Sequence, residues 1–335
     1  MDRRGKIAGV LYGLALGDAL GMPPEFLSQE EIKRKYGRIT DFLDGDPENA
    51  ISRFYKAGQY TDDTGQALAV LDSLTQTDFV PEAKNIGAHL LTWADREDAF
   101  QKGLLGPTSS QVLTRIKAGE DPQPIARQAV TNGAAMRIAP VGTLFDPDQM
   151  EALCRYVADI SMVTHASDAA ICGACMIAMA VSSAVSGEGK EEMIKRVLLL
   201  EPYARTLGAD TDSPSLSPRV KKGVAVAEEY TDDPEGFASA LSRLTGSGAD
   251  VWESVPAALC IAYYGYEDPK KSAVFSANFG GDTDTIGAMA TAICGGAAGV
   301  EGIADSDIEV LKEANQVDFT PYVDALFRHS FAPRP

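Results

Sequence analysis

Thr61, Asp62, Asp63 and Thr64 are four successive oxygen-bearing side chains. They stand directly ahead of Ala67, Val70, Leu71 and Leu74, which are spaced as the apolar face of a helix. A helix start needs one Asp or Thr to accept from its unpaired N–H groups and to sit in the positive end of the dipole. Four exceed that need, and adjacent carboxylates repel unless a cation, a proton or a set of donors compensates. The same arrangement returns at Gly280-Gly281-Asp282-Thr283-Asp284-Thr285, ahead of Ile286, Met289, Ala290 and Ile293. Its paired glycines let backbone approach a ligand closely. If folding brings the two segments together, their carboxylates and hydroxyls form a hard-oxygen site suited to Mg²⁺, Mn²⁺ or Ca²⁺. Only three histidines occur in the chain, which leaves little for an imidazole-based zinc centre. On these residues alone, a structural calcium site stands as the alternative to a catalytic one.

Six further residues join the candidates. Asp18 shares a helix face with Ile7, Leu11 and Leu14, and a carboxylate on an apolar stripe must find partners, a cation or another helix to cap. Glu25 follows two prolines that stiffen the chain ahead of it. Asn132-Gly133 is a turn signal whose backbone N–H groups could face an anion, and Arg137 behind it could pair with phosphate or with an acid. His165 opens an Ala-rich helical stretch, where a lone histidine is more often structural than catalytic. Two other acidic strings serve as controls. Thr231-Asp232-Asp233 is read as a solvated turn with no apolar helix behind Pro234, whereas Asp210 and Asp212 are left as a loop near the site or a simple turn.

The elements that must position these residues read as helices throughout, with no strand–helix alternation, so an all-α bundle of many short helices is expected. The chain, 335 residues with 45% hydrophobic side chains, can bury a large core, and no Pro/Gly-rich stretch is long enough for a linker, so one domain over 1–335 is expected. A formal net charge of −18 and the lack of any long basic run argue against nucleic acid or an anionic membrane as partner. Asp18 interrupts what could be misread as a signal peptide, and residues 169–185 and 285–300 read as buried helices, short of a bilayer span. Five scattered cysteines in apolar surroundings suit a reducing cytoplasm, and the Cys172–Cys175 pair reads as buried packing, without a second pair to make a metal or redox site.

In this order and spacing, Gly17-Asp18-Ala19-Leu20-Gly21 through Glu25, Thr61-Asp62-Asp63-Thr64, Asn132-Gly133 to Arg137, Thr164-His165 and Gly281-Asp282-Thr283-Asp284-Thr285 resemble the ADP-ribosylglycohydrolase family, which includes the dinitrogenase-reductase-activating glycohydrolase. The resemblance runs from about residue 5 to about 300. It implies a compact orthogonal multi-helix bundle with two divalent cations, Mg²⁺ or Mn²⁺, at the base of a cleft. Carried over position by position, the cation ligands are Thr61, Asp62, Asp63, Asp282, Asp284 and Thr285. Glu25 and Asp63 are the implied catalytic carboxylates; Asn132, Gly133 and His165 the implied substrate contacts; Asp18 and Arg137 supporting groups. Gly65-Gln66 departs from the family pattern after the first cluster, and residues 201–250 read as an insertion with no assigned counterpart.

The expected reaction is hydrolysis at the ribose anomeric carbon of an ADP-ribose-like substrate, among them an ADP-ribosylated protein, through an oxocarbenium-like state. Two alternatives remain open. The same site could act on nucleosides or other ribosyl metabolites, or the chain could bind ADP-ribose and metal without turnover. No oligomeric state is assigned.

Overall fold

The computed structural model describes residues 2–330. Eighteen α-helices with short 3-10 turns account for the regular structure among these residues, and two isolated bridges stand in place of any sheet. The expected all-α bundle is what is observed. One contiguous hydrophobic cluster runs from Ile7 to Leu326 and draws on helices from both ends of the chain.

The closest packing in the fold joins the N-terminal helix, Arg3–Gly21, to the helix Thr283–Ala298. Gly9, Gly13, Gly17 and Gly21 recur every fourth residue and so line one face of the first helix. A Cβ added to them would lie 2.1 Å from Gly295 O, 2.4 Å from Thr291 O, 2.0 Å from Gly287 O and 2.3 Å from Thr283 O, respectively. Backbone therefore rests on backbone along the whole seam. The falling partner numbers make the pair antiparallel, which brings the C-terminal end of the first helix, with Asp18, to the N-terminal end of the other, with Asp282 and Asp284. Thr283 Oγ1 fastens the junction by donating to Gly21 O at 2.7 Å. Two backbone bonds continue it, Phe26 N to Gly281 O at 2.7 Å and Gly281 N to Leu27 O at 2.8 Å, so the segment bearing Glu25 is tied to the loop bearing Asp282.

The helix Asp168–Val185 runs through the interior with every residue buried. By length and composition it is apolar enough to cross a membrane, yet its whole length is enclosed by protein. All five cysteines are buried and free, and burial raises the thiol pKa of Cys172 and Cys175, as befits packing groups.

The segment 231–245 corrects the reading of its sequence. A helix, Pro234–Thr245, follows directly: Asp233 caps it by accepting from Gly236 N at 2.9 Å, and Phe237 and Leu241 are buried at a spacing of four. Pro234 occupies the first turn, where its missing N–H costs nothing, so it starts this helix. Asp210 closes a tight turn by accepting from Asp212 N at 3.0 Å, in a loop held to Asp168 through Thr211.

Candidate active site: a buried acidic centre

The helix Asp62–Gln76 begins at Thr61, and the helix Thr283–Ala298 begins at Asp282, but neither capping residue uses its side chain to cap. Simple capping therefore fails to account for either cluster. The cap of the first comes from elsewhere in the chain. Asp18 Oδ1 accepts from Thr61 N and Thr61 Oγ1, both at 2.8 Å, and Oδ2 accepts from Thr64 N at 3.0 Å and Thr64 Oγ1 at 2.6 Å. Four donors saturate this carboxylate, so Asp18 fixes the start of the helix and keeps no lone pair for a ligand.

The saturation of Asp18 has a consequence for Thr61. Its hydroxyl carries one proton, and that proton serves Asp18. Yet Oγ1 also lies 3.0 Å from Asp63 Oδ2 and 3.5 Å from Asp284 Oδ2. Those contacts set lone pairs against lone pairs unless a cation or an added proton sits among them. Carboxylate oxygens of Glu25, Asp282 and Asp284 fall within 4.8 Å of one another. The structure thus brings Thr61, Asp63, Asp282 and Asp284 together with Glu25 in one buried cluster, with Thr285 buried at the start of the second helix and Asp62 partly exposed at the start of the first.

Burial acts on every one of these acids, and repulsion by acidic neighbours adds to it at Glu25, Asp62, Asp63 and Asp284. Burial first, then the charges of Asp18 and Asp282, pushes Asp62 up to about 7. Burial lifts Asp18 to about 6 in spite of its four donors. Glu25, Asp63 and Asp284 are raised well above the usual carboxylate range, by burial and then by their acidic neighbours, and burial raises Asp282. Among the described residues no Lys or Arg forms an ion pair with any of the six. Glu25 Oε2, Asp63 Oδ1 and Asp284 Oδ1 are sealed from solvent without a hydrogen-bond partner. Each such oxygen costs on the order of 1–3 kcal/mol or more while unpaired. A hard divalent cation satisfies oxygens of this kind, and no imidazole or thiolate competes for it, so the residues present fit Mg²⁺ or Mn²⁺.

Asn132, Gly133, Arg137 and His165 lie beside the acidic cluster, joined to it or to one another by hydrogen bonds and packing. Asn132 Nδ2 donates to Asp282 Oδ2 at 2.6 Å and to Ser254 Oγ at 3.1 Å, so its amide orients a carboxylate of the centre. Arg137 is buried and reaches no open space: it donates to Gln66 Oε1 at 2.7 Å and to Thr164 Oγ1 at 2.5 Å. Gln66 passes the contact on by donating to Asp62 Oδ2 at 2.8 Å. Thr164 Oγ1 accepts from Arg137, so its own proton goes to His165 Nδ1 at 2.8 Å. That leaves Nε2 protonated and 3.0 Å from Thr131 Oγ1. This tautomer follows from the network, and burial together with Arg137 drives the imidazole down to about 3, so it is neutral. A Cβ on Gly133 would lie 2.6 Å from His165 Cε1, which places the ring beneath the 132–133 turn and off the cleft surface. Gln66 had been noted only as a departure from the family pattern; its spacing of four from Asp62 on one helix was the available signal.

The sequence model of the ADP-ribosylglycohydrolase family matches residues 1–334. The chain belongs to this family. YegU of Escherichia coli K12 is 39% identical over 324 residues, 97% of each chain. ADP-ribosylhydrolase ARH3 of Bos taurus is 28% identical over 326 residues, 90% of this chain and 87% of that one. A solved structure described as an ADP-ribosylglycohydrolase-related protein complex superimposes with a TM-score of 0.72 at 25% identity, covering 98% and 99% of the two chains. The chain is accordingly an ADP-ribosylglycohydrolase-like hydrolase. Coverage of 97% of each chain makes residues 201–250 a stretch that this chain shares with YegU. Two helices in that stretch, Ser217–Glu229 and Pro234–Thr245, contribute Val220, Ala227, Phe237 and Leu241 to the core of this glycohydrolase.

The raised carboxyls make the cation-free glycohydrolase sensitive to pH in a defined direction. A group whose value is higher in the folded than in the unfolded chain stabilises the fold below the unfolded value, near 3.9, and loses that contribution as pH climbs through the folded one. For Asp18 and Asp62 the loss falls between about pH 4 and pH 7. With chelator present, melting should occur at a lower temperature at pH 8 than at pH 5. Adding Mn²⁺ or Mg²⁺ at pH 8 should restore the difference and release protons. A melting temperature unaffected by pH under chelation would contradict this electrostatic picture.

Proposed function

We propose that this glycohydrolase hydrolyses the bond at the ribose anomeric carbon of an ADP-ribosylated protein or small molecule, using two divalent cations, Mg²⁺ or Mn²⁺, held by Thr61, Asp62, Asp63, Asp282, Asp284 and Thr285. The observation that carries this reading is the convergence of buried acids with unpartnered oxygens on Glu25, Asp63 and Asp284. When bound, such cations supply Lewis acidity and a field that stabilises developing negative charge. The chain supplies the rest. Glu25 keeps one oxygen free and its pKa is raised, so it can take a proton from an attacking water and hold it. Asp63, likewise with one oxygen free, is the alternative acceptor. Asp18 locks Thr61 and Thr64, Asn132 aims Asp282, and the Arg137–Gln66 link steadies Asp62, so that no ligand must reorganise as the bond breaks.

The test is a panel of ADP-ribosyl-arginine, ADP-ribosyl-serine, O-acetyl-ADP-ribose and simple nucleosides, each with Mg²⁺ and with Mn²⁺. Turnover of one or more ADP-ribosyl conjugates is expected, and its loss under chelation. Nucleosides turning over while every ADP-ribosyl conjugate stays inert would move the function to ribosyl metabolites. Binding without turnover anywhere on the panel would make the chain a sensor.

A further inference from the structure

Thr61, Gly65, Leu68, Ala69 and Asp72 share one face of the helix Asp62–Gln76, and that face does not carry Asp63 or Gln66. A cavity of about 560 Å³ lies along it, closed by the helix Ala83–Arg96 and by residues near the C-terminal end of the described chain. Its size falls in the range of small-molecule sites. It meets the acidic centre at Thr61 and at Tyr55, whose phenol is pushed up by burial and then by the charges of Asp62, Asp18, Glu25 and Asp284.

The lining defines what it would accept. Tyr55, Tyr60, Trp93 and Tyr322 give it flat apolar walls. Neither the Tyr55 and Tyr60 hydroxyls nor Trp93 Nε1 has a hydrogen-bond partner among the described residues, and none of the three is sealed from solvent. The indole nitrogen edge lies against Gly65, where a Cβ would come within 2.3 Å of Nε1, and it can only donate. The two acids of the lining are already engaged: Asp72 accepts from Tyr322 at 2.9 Å, and Glu97 pairs with Arg96 at 2.9 Å. A guest must therefore bring an acceptor for the indole N–H, which cannot accept, pair with two phenols that donate or accept, present flat faces to aromatic rings and carry no net charge. A guanidinium, which only donates, fails the first condition, and a phosphate fails the last two.

We propose that this cavity binds a neutral, flat heterocycle bearing carbonyl or ring-nitrogen acceptors, of the nucleobase class, beside the acidic centre. The site stands apart from the hydrolytic reading, and its test needs no turnover. The chain has two tryptophans, so Trp252→Phe leaves Trp93 as the sole indole reporter. In that background, with chelator present, the fluorescence is followed against adenine, hypoxanthine, uracil and nicotinamide, with methylguanidine and inorganic phosphate alongside. A saturable change with at least one heterocycle is expected. Tyr60→Phe should weaken it roughly five- to tenfold by removing one donor, and Ala69→Leu should abolish it by filling the cavity. No saturable response to any heterocycle, a response to methylguanidine or phosphate alone, or a heterocycle response that both variants leave intact would overturn the proposal. Should Ala69→Leu fail to fold, the Tyr60→Phe comparison decides alone.

Discussion

Replacing Asp284 by Asn should lower hydrolysis by about 10³-fold or more, the scale of several kcal/mol of lost charge stabilisation, while raising the melting temperature of the chelated protein at pH 8. The two effects share one cause. Asp284 Oδ1 is buried without a partner, and Glu25, Asp63 and Asp282 all repel its charge. An amide of the same shape removes that repulsion and offers N–H donors to neighbouring acids, so the cation-free fold gains. What it removes is a ligand, so cation uptake and rate fall. A wild-type rate with cation uptake abolished would refute the catalytic reading. A lower melting temperature under chelation would refute the electrostatic one. A merely structural acid would show activity and stability falling together, which makes the opposite signs the informative result.

Gly17→Val should cost about 3–5 kcal/mol, a large share of the roughly 5–15 kcal/mol that holds most domains folded. The space for its side chain is occupied by backbone: a Cβ there would lie 2.0 Å from Gly287 O and 2.8 Å from Thr291 Oγ1. Neither helix can retreat cheaply, because the same contact repeats at Gly9, Gly13 and Gly21. Thermal denaturation and solubility of the variant, with Gly37→Val as a control, check this. Gly37 has nothing within 4 Å of its Cβ position but a positive φ of 69°, which Gly17 lacks, so the control carries backbone strain without the packing clash. A loss at Gly17 no larger than about 1 kcal/mol would mean that the seam contributes nothing of its own.

The two acidic clusters were legible because their chemistry is written in adjacent residues, and an excess of oxygen ligands at a helix start is visible without knowing what lies opposite. Asp18 was only half legible. Its face could be read from spacing, but its four partners lie 43 and 46 residues away. The partners of Asn132 and Arg137 were hidden for the same reason. Each has a side chain suited to an anion, yet each is engaged by a group brought in by the fold, Asp282 across 150 residues and Gln66 across 71. Pro234 was taken as a breaker because proline alone does not say whether a helix is ending or beginning; Phe237 and Leu241 at a spacing of four held the answer. The all-helical class followed from periodicity, but the closest contact in the fold did not. The repeat of glycine at every fourth position of the first helix was present in the sequence, and only its partner was hidden.

That seam also dictates when the molecule can become an enzyme during its synthesis. The helix Arg3–Gly21 meets its backbone partner only after some 260 further residues have been made, and until then its bare glycines lack the backbone that covers them. Such long-range closure slows folding and leaves greasy surface open to aggregation meanwhile. No nascent chain ending before residue 283 carries Asp284 or Thr285, so the acidic centre is completed only late in synthesis.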